Sequence, residues 1–216
     1  MNPLFDGVQR FKRLVYPDRA VLFRDLARGQ SPEVLFITCS DSRIDPNLIT
    51  QSEPGQLFIV RNAGNMVPPW GTGDGSTASA IEYAIEVLGV KHIVVCGHAH
   101  CGAMAALLRE DGVPGLPAVS DWLRHAEPTR RIVSRKHGHC AADEQLRIAI
   151  EHNAKHQLDN LRTHPAVASR LTDGALHLHA WVYDIGPGSV LTWDATSGAF
   201  QEMLEDPGSE EVAATA

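Results

Sequence analysis

Two short motifs constrain this chain more than any other feature. Cys39-Ser40-Asp41-Ser42-Arg43 follows the apolar, β-branched run Glu33–Thr38, and His98-Ala99-His100-Cys101-Gly102 follows a similar run, Lys91–Cys96. Short apolar runs of this kind, bounded by polar loops, read as buried strands. The chemistry-bearing residues therefore sit where two strands end, and the fold must bring those two ends side by side. Cys and His are preferred ligands of zinc, and three protein ligands leave a fourth position for water. A water held there, with a carboxylate beside it, can act as a nucleophile near neutral pH. The two motifs together point to a hydrolytic or hydrating zinc enzyme.

The rest of the chain supplies an α/β frame: a mostly parallel β-sheet flanked by helices, with an N-terminal helical arm and a C-terminal hairpin extending the sheet. Leu57–Val60 is a further apolar strand, and Ser76–Leu88 is a helix with Ile81, Ala84, Ile85 and Leu88 on one face and Gly89 at its end. Continuous apolar strands alternating with helices suit a parallel sheet covered on both faces. The middle is mostly helical, with a short piece at Trp122–Glu127 and a long helix over Ala141–Arg162 whose apolar face is Leu146, Ile150, Ala154, Leu158 and Leu161. Leu176–Ile185 alternates, Gly186-Pro187-Gly188 turns the chain, and Val190–Trp193 pairs back as a hairpin. In the first thirty residues Phe5, Val8, Phe11 and Val15 form one stripe, Pro17 breaks the helix, and Val21, Leu22 and Leu26 form a second. This arm can pack on a partner subunit or on its own core. We expect one domain over residues 1–205, residues 1–30 being the arm, and a disordered acidic tail over 206–216.

The 216 residues carry a net charge of −7 with no Lys/Arg block, which argues against nucleic acid and anionic membrane as partners. Met1 to Lys12 has no apolar run long enough for a signal peptide, and no window approaches the roughly 20 apolar residues of a membrane span. The default compartment is the cytoplasm. There, the four cysteines Cys39, Cys96, Cys101 and Cys140 read as metal ligands or free thiols before disulfides. His125, His137, His152, His156 and His164 read as unremarkable histidines in polar helical or loop contexts.

The ligand set is then Cys39, His98 and Cys101, with one turn of His-x-x-Cys presenting two groups to one ion. Paired C-x-x-C half-sites are absent, so the site reads as catalytic rather than structural. Two thiolates cancel the charge of Zn²⁺, so the ion is a weaker Lewis acid than one held by three histidines, and its water needs help. Asp41 can accept a hydrogen bond from that water, and Arg43 can hold Asp41 in a bidentate pair and keep it ionised. Cys96, inside an apolar strand, reads as a core thiol. His137-Gly138-His139-Cys140 has ligand residue types without a strand or helix frame. Gly71-Thr72-Gly73-Asp74-Gly75 lacks the Gly-Lys-Ser/Thr of a nucleotide loop.

These residues closely resemble the zinc signature of the β-class carbonic anhydrases, Cys-x-Asp-x-Arg plus His-x-x-Cys. The resemblance runs from about Phe5 to about Phe200 and includes Val60-Arg61-Asn62-Ala63-Gly64-Asn65, Ser79-Ala80-Ile81-Glu82-Tyr83 and Trp181-Val182-Tyr183-Asp184. Within the class the chain is most similar to the plant-type subgroup and to bacterial enzymes associated with cyanate degradation. The resemblance implies zinc-dependent reversible hydration of CO₂ to bicarbonate and a proton by attack of zinc-bound hydroxide. It implies zinc on Cys39, His98 and Cys101, Asp41 and Arg43 as a catalytic dyad, and Asp41 on the metal only if the site closes. It implies that Gln30 donates to a substrate oxygen, that Phe58 and Tyr83 line an apolar CO₂ pocket lent by a neighbouring subunit, and that the Gly102 N–H faces bicarbonate. A shared pocket implies a homodimer or larger assembly. A second subgroup uses a Trp, an Arg and a Tyr to bind regulatory bicarbonate. Arg61 and Tyr183 match, but Phe36 stands at the Trp position, so we expect an open site with water on zinc at neutral pH. His100 is a candidate proton shuttle, with an inward-packed or simply exposed side chain as the alternative. Two rival readings are hydrolysis of a CO₂ analogue such as carbonyl sulfide or carbon disulfide, and a non-catalytic zinc-binding or redox module.

Overall fold

The structure is a computed structural model that describes residues 2–72 and 75–203. It begins with α1, Pro3–Arg10, whose Asn2 side chain caps Leu4 N–H. The expected break at Pro17 separates two α-helices, with Arg19 at a non-helical φ of −112° just before the second begins. A π-helical turn, Phe11–Val15, leads into a 3₁₀ turn, Pro17–Arg19, and then into α2, Ala20–Leu26. Proline is tolerated there because the first position of a helical turn has no N–H to place in the ladder. Nothing in this arm is buried; Leu4, Phe5, Val8, Leu14 and Val21 are all more than half exposed. The arm folds on itself, Tyr16 stacking on Phe23 and Phe11 meeting Phe23 edge-on, and does not join the core.

β1, Val34–Cys39, is followed by the short α3, Pro46–Thr50, and by β2, Leu57–Asn62. Then come α4, Gly75–Glu86; β3, His92–His98; and α5, Gly102–Leu107. The helical middle is longer than the sequence pattern suggested: α6, Pro117–Leu123, a 3₁₀ turn at Arg124–Ala126, and α7, Glu127–His137. α8, Ala142–Arg162, and α9, Pro165–Thr172, precede β4, His177–Asp184; β5, Ser189–Asp194; and β6, Ala199–Glu202. Residues 206–216, expected to form a tail, lie outside the described residues, as do Gly73 and Asp74 of the glycine-rich stretch.

The sheet order is β2-β1-β3-β4-β5-β6. The first four strands are parallel, and β5 and β6 extend the sheet antiparallel. β1 and β3 lie inside it with fully buried Leu35, Ile37, Ile93 and Val95; burial of each such side chain contributes on the order of 2 kcal/mol. The main core joins that face to Ile81, Ala84 and Ile85 of α4 and to Ile150, Ala154, Leu158 and Leu161 of α8. A smaller cluster on the other face contains Phe36, Val94 and Cys96 with Trp181 and Tyr183. Among the described residues no helix is long and apolar enough to cross a membrane. His164 departs from its expected polar setting. It is 2% exposed, with Nε2 3.0 Å from Pro68 O and its ring edge-on to Trp70.

Candidate functional site

Cys39 is the last residue of β1 and His98 the last of β3, so the ligand positions belong to the strands themselves rather than to the loops after them. Parallel pairing, with Thr38 opposite Cys96, brings the two strand ends together. Cys101 caps the start of α5, after His100 has turned the chain with a φ of 55°. The three donor atoms of Cys39, His98 and Cys101 all lie within 4.8 Å of one another. All three residues are buried, at 6%, 0% and 1% exposure. His98 Nδ1 is 3.0 Å from Ala99 O, which fixes the proton on Nδ1 and leaves Nε2 as a lone-pair donor. That buried Nε2 has no hydrogen-bond partner, and a buried polar atom is rarely left so.

The thiols are electrostatically coupled. The Cys39 thiol is drawn down to about 4 by the Cys101 thiol beside it, helped by His98 and by the backbone N–H groups of Gly64 and Asp41 against the cost of burial. Cys101 is pushed well above the ordinary thiol range by Cys39 and by burial. Two thiols thus share one proton, and a divalent cation, which deprotonates a coordinating thiol outright, relieves that frustration.

Asp41 lies beside the cluster, with Oδ2 3.8 Å from His98 Nε2. Its Oδ1 accepts from Arg43 N–H at 3.0 Å and Arg43 Nε at 2.9 Å, and its Oδ2 accepts from Arg43 Nη2 at 2.8 Å. This fork holds the Asp41 carboxyl below the usual carboxylate range. Arg43 Nη2 also reaches His100 O at 3.2 Å, tying the two motifs together.

A family model described as carbonic anhydrase matches residues 34–190. The chain is a member of the β-carbonic anhydrase family. A carbonic anhydrase of Pseudomonas aeruginosa is 49% identical over 96% of this chain and 94% of its own length. The solved structure of the β-carbonic anhydrase CcaA has a TM-score of 0.92 at 46% identity, covering 94% of this chain and 99% of that one. One of two tetrameric β-carbonic anhydrases from Sordaria macrospora has a TM-score of 0.74 at 31% identity, covering 93% and 94%. The cofactor of this carbonic anhydrase is zinc, and the donor set fits it: two sulfurs, one imidazole nitrogen with a free lone pair, and three ligands rather than four.

The other residues singled out in this carbonic anhydrase do not all gather at its metal cluster. Gly102 does; it opens α5 directly after Cys101. Phe58 and Tyr83 come together, ring centroids 5.9 Å apart, with Tyr83 43% exposed. However, Phe58 pairs with Leu35, four residues before Cys39 on β1, about 13 Å along the strand. Gln30 precedes β1 altogether and is exposed. Within one protomer these three therefore belong to the opposite end of the sheet from the zinc ligands. His100 is exposed and lines a separate cleft of about 230 Å³ with Asp143, Arg147, Glu151 and Asp184. Phe36 is buried edge-on against Trp181, 6.0 Å between centroids.

Several residues support the ligands in ways the sequence did not show. Gly64 N–H reaches Cys39 Sγ at 3.4 Å. Gly64 has φ +78°, and an added Cβ would come within 3.1 Å of Ala103, Met104 and Met66 atoms. Arg61 donates to the carbonyls of Cys39 at 3.1 Å and Asp41 at 2.7 Å. Behind them, Asn153 of α8 donates to Gly64 O at 2.9 Å. The Gly64-Asn65 dipeptide was the available signal, since both residues take left-handed φ.

Proposed function

We propose that this chain catalyses the reversible hydration of CO₂ to bicarbonate and a proton, with the roles of its residues as follows. Zinc on Cys39, His98 and Cys101 would supply Lewis acidity that lowers the pKa of a water in its open position toward neutrality. Asp41 accepts a hydrogen bond from the attacking water and turns the oxygen lone pair toward the carbon of CO₂. Arg43 keeps Asp41 ionised and in place, and Arg61 fixes the backbone that carries both. Phe58 and Tyr83 of a neighbouring subunit form an apolar wall for CO₂, and Gln30 of that subunit donates its amide to a substrate oxygen. The Gly102 N–H faces the bicarbonate product. The carbon–oxygen bond forms as the water gives up a proton, which passes to solvent.

The observation that carries this reading is the convergence of an orphaned His98 Nε2, two coupled thiols and a forked carboxylate at one pair of strand ends. Structural zinc has no use for a carboxylate held ionised beside it. Replacing Asp41 by Ala tests the assignment. Turnover is expected to fall by about 10²-fold or more while one zinc per chain is retained; unchanged turnover would overturn the role given to Asp41.

We further infer that the working unit is at least a dimer with a shared pocket. The unburied apolar stripe of the arm, Leu4, Phe5, Val8 and Leu14, is too large to remain in water. The opposite placement of Phe58 and Tyr83 also calls for a second copy to complete the site. The free thiols fit a reducing compartment, and we assign the cytoplasm. Because Asp41 is engaged by Arg43 on both oxygens, we assign the open form, with Asp41 off the metal at neutral pH.

A further inference from the structure

We propose that His92, His177 and His179 form a second divalent-metal site at the end of β3 and β4 opposite the catalytic cluster. His92 opens β3 and His98 closes it, so the two places are about 20 Å apart along one strand. The parallel register sets His177 opposite His92 and His179 opposite Val94. Alternation then puts all three imidazoles on the same face of the sheet.

The geometry of the three rings is specific. His92 stacks on His177, centroids 5.3 Å apart at 26°, and lies 5.3 Å from His179. His92 Nδ1 and His179 Nε2 face each other at 3.1 Å. Two nitrogens bound tetrahedrally to one zinc at about 2.05 Å stand about 3.3 Å apart, so this pair needs to open by only a few tenths of an ångström. The proton inventory also allows it. A neutral imidazole carries one N–H and one lone pair. The contact is an N–H···N hydrogen bond, so one ring must pass its proton to its outer nitrogen, a change of tautomer that costs no net proton, before both inner nitrogens can bind one ion. Burial, with His92 and His177 nearby, keeps His179 below the ordinary histidine range, so it is neutral and able to bind at pH 7.

The third ligand is His177, which is exposed at the sheet end and would turn out of its stack on His92 to reach the pair. Among the described residues only Cys39, His98 and Cys101 already bring three donors together; here His92 and His179 are placed, and the proposal has His177 turn to join them. The adjacent Lys91–Glu33 pair, 2.8 Å apart, adds no net charge. Imidazole donors without carboxylates select nitrogen-preferring ions, Zn²⁺, Ni²⁺ or Cu²⁺, over Mg²⁺ and Ca²⁺. Occupancy would pin β3 to β4 at the end far from catalysis.

The test uses the untagged, zinc-loaded full chain dialysed against excess buffered Zn²⁺, with metal content by elemental analysis and Ni²⁺ affinity by calorimetry. Wild type is expected to take up a second equivalent, and His179→Asn to lose it while keeping the first equivalent and full CO₂ hydration. His177→Gln, an exposed change that does not threaten folding, is expected to weaken the second equivalent about tenfold or more, since loss of even an outer-shell partner has that effect. Failure of wild type to take up a second equivalent overturns the proposal, as does unchanged affinity in His177→Gln. A second equivalent that survives His179→Asn also overturns it and moves the ion to the His139–Cys140 stretch, where Cys140 Sγ lies 3.7 Å from His139 Nε2.

Discussion

Gln157→Leu is the most informative stability probe of the zinc site, although Gln157 touches no ligand. Gln157 is fully buried on α8, between Asn153 and Asn160 at 1% and 6% exposure. Its Oε1 accepts from Val67 N–H at 2.8 Å and from Asn160 Nδ2 at 3.1 Å, and its Nε2 donates to Asn153 Oδ1 at 2.8 Å. Asn153 in turn holds Gly64 O, and Gly64 N–H holds Cys39 Sγ. Leucine has nearly the same size but leaves Val67 N–H and Asn153 Oδ1 buried without this partner, while Asn160 Nδ2 keeps only its bond to Val67 O at 2.9 Å. Each orphaned group costs about 1–3 kcal/mol, and the added apolar burial returns about 1–2 kcal/mol. For two orphaned groups a net loss of about 2–3 kcal/mol is expected, which at this chain length lowers Tm by about 5–10 °C. Denaturant unfolding of the zinc-loaded variant beside wild type reads the difference, and zinc retention is expected to fall with it. A loss below about 1 kcal/mol would mean that the network does not support the 63–67 segment, and the link from α8 to Cys39 would be wrong.

Two further outcomes follow from the same geometry. In Arg43→Met the fork on Asp41 is gone, so its carboxyl returns toward the ordinary range. Asp41 is depressed in the wild-type fold, so what its ionised form contributes is lost only as pH falls through that low value; in the variant the loss comes at higher pH, and the Asp41 carboxyl followed by NMR should titrate higher than in wild type. An unmoved Asp41 titration would show that Arg43 does not set the Asp41 charge. Removing zinc with a chelator leaves His98 Nε2 buried without a partner and the two thiols sharing one proton. At free zinc about 1,000-fold above Kd the ion stabilises by about 4 kcal/mol, so the apo chain should melt about 8–16 °C lower. Equal melting of apo and zinc-loaded chains by calorimetry would exclude a folding-linked site at these residues.

The strands were legible because their signal is local: β-branched apolar runs ended by polar residues gave β1 and β3 to within two residues of their ends. The site motifs were legible because they sit at those ends. What the sequence hid was context. The apolar face of α8 was readable from its period, but Asn153, Gln157 and Asn160 share the buried side of the helix, and no periodicity shows that a loop 90 residues earlier supplies their partners. Pro17 marks the break between the two helices of the arm, but the π turn before it and the 3₁₀ turn it opens gave no periodic signal of their own. His164 looked polar because its neighbours are, while its burial comes from Trp70 and Pro68. The separation of Phe58, Tyr83 and Gln30 from the ligands is a register effect. It emerges only when Leu35 is seen to face Phe58, four residues before Cys39.

The most direct test of zinc-dependent CO₂ hydration is stopped-flow kinetics on the zinc-loaded chain from about pH 6.5 to 9, the range in which an activated water and its proton acceptor titrate. Fast hydration that rises smoothly with pH is expected, with Asp41 engaged by Arg43 throughout. Activity that is absent below about pH 8 and returns above it would place Asp41 on the metal and contradict the open form. No hydration at any pH, with zinc still bound, would contradict the assigned activity itself.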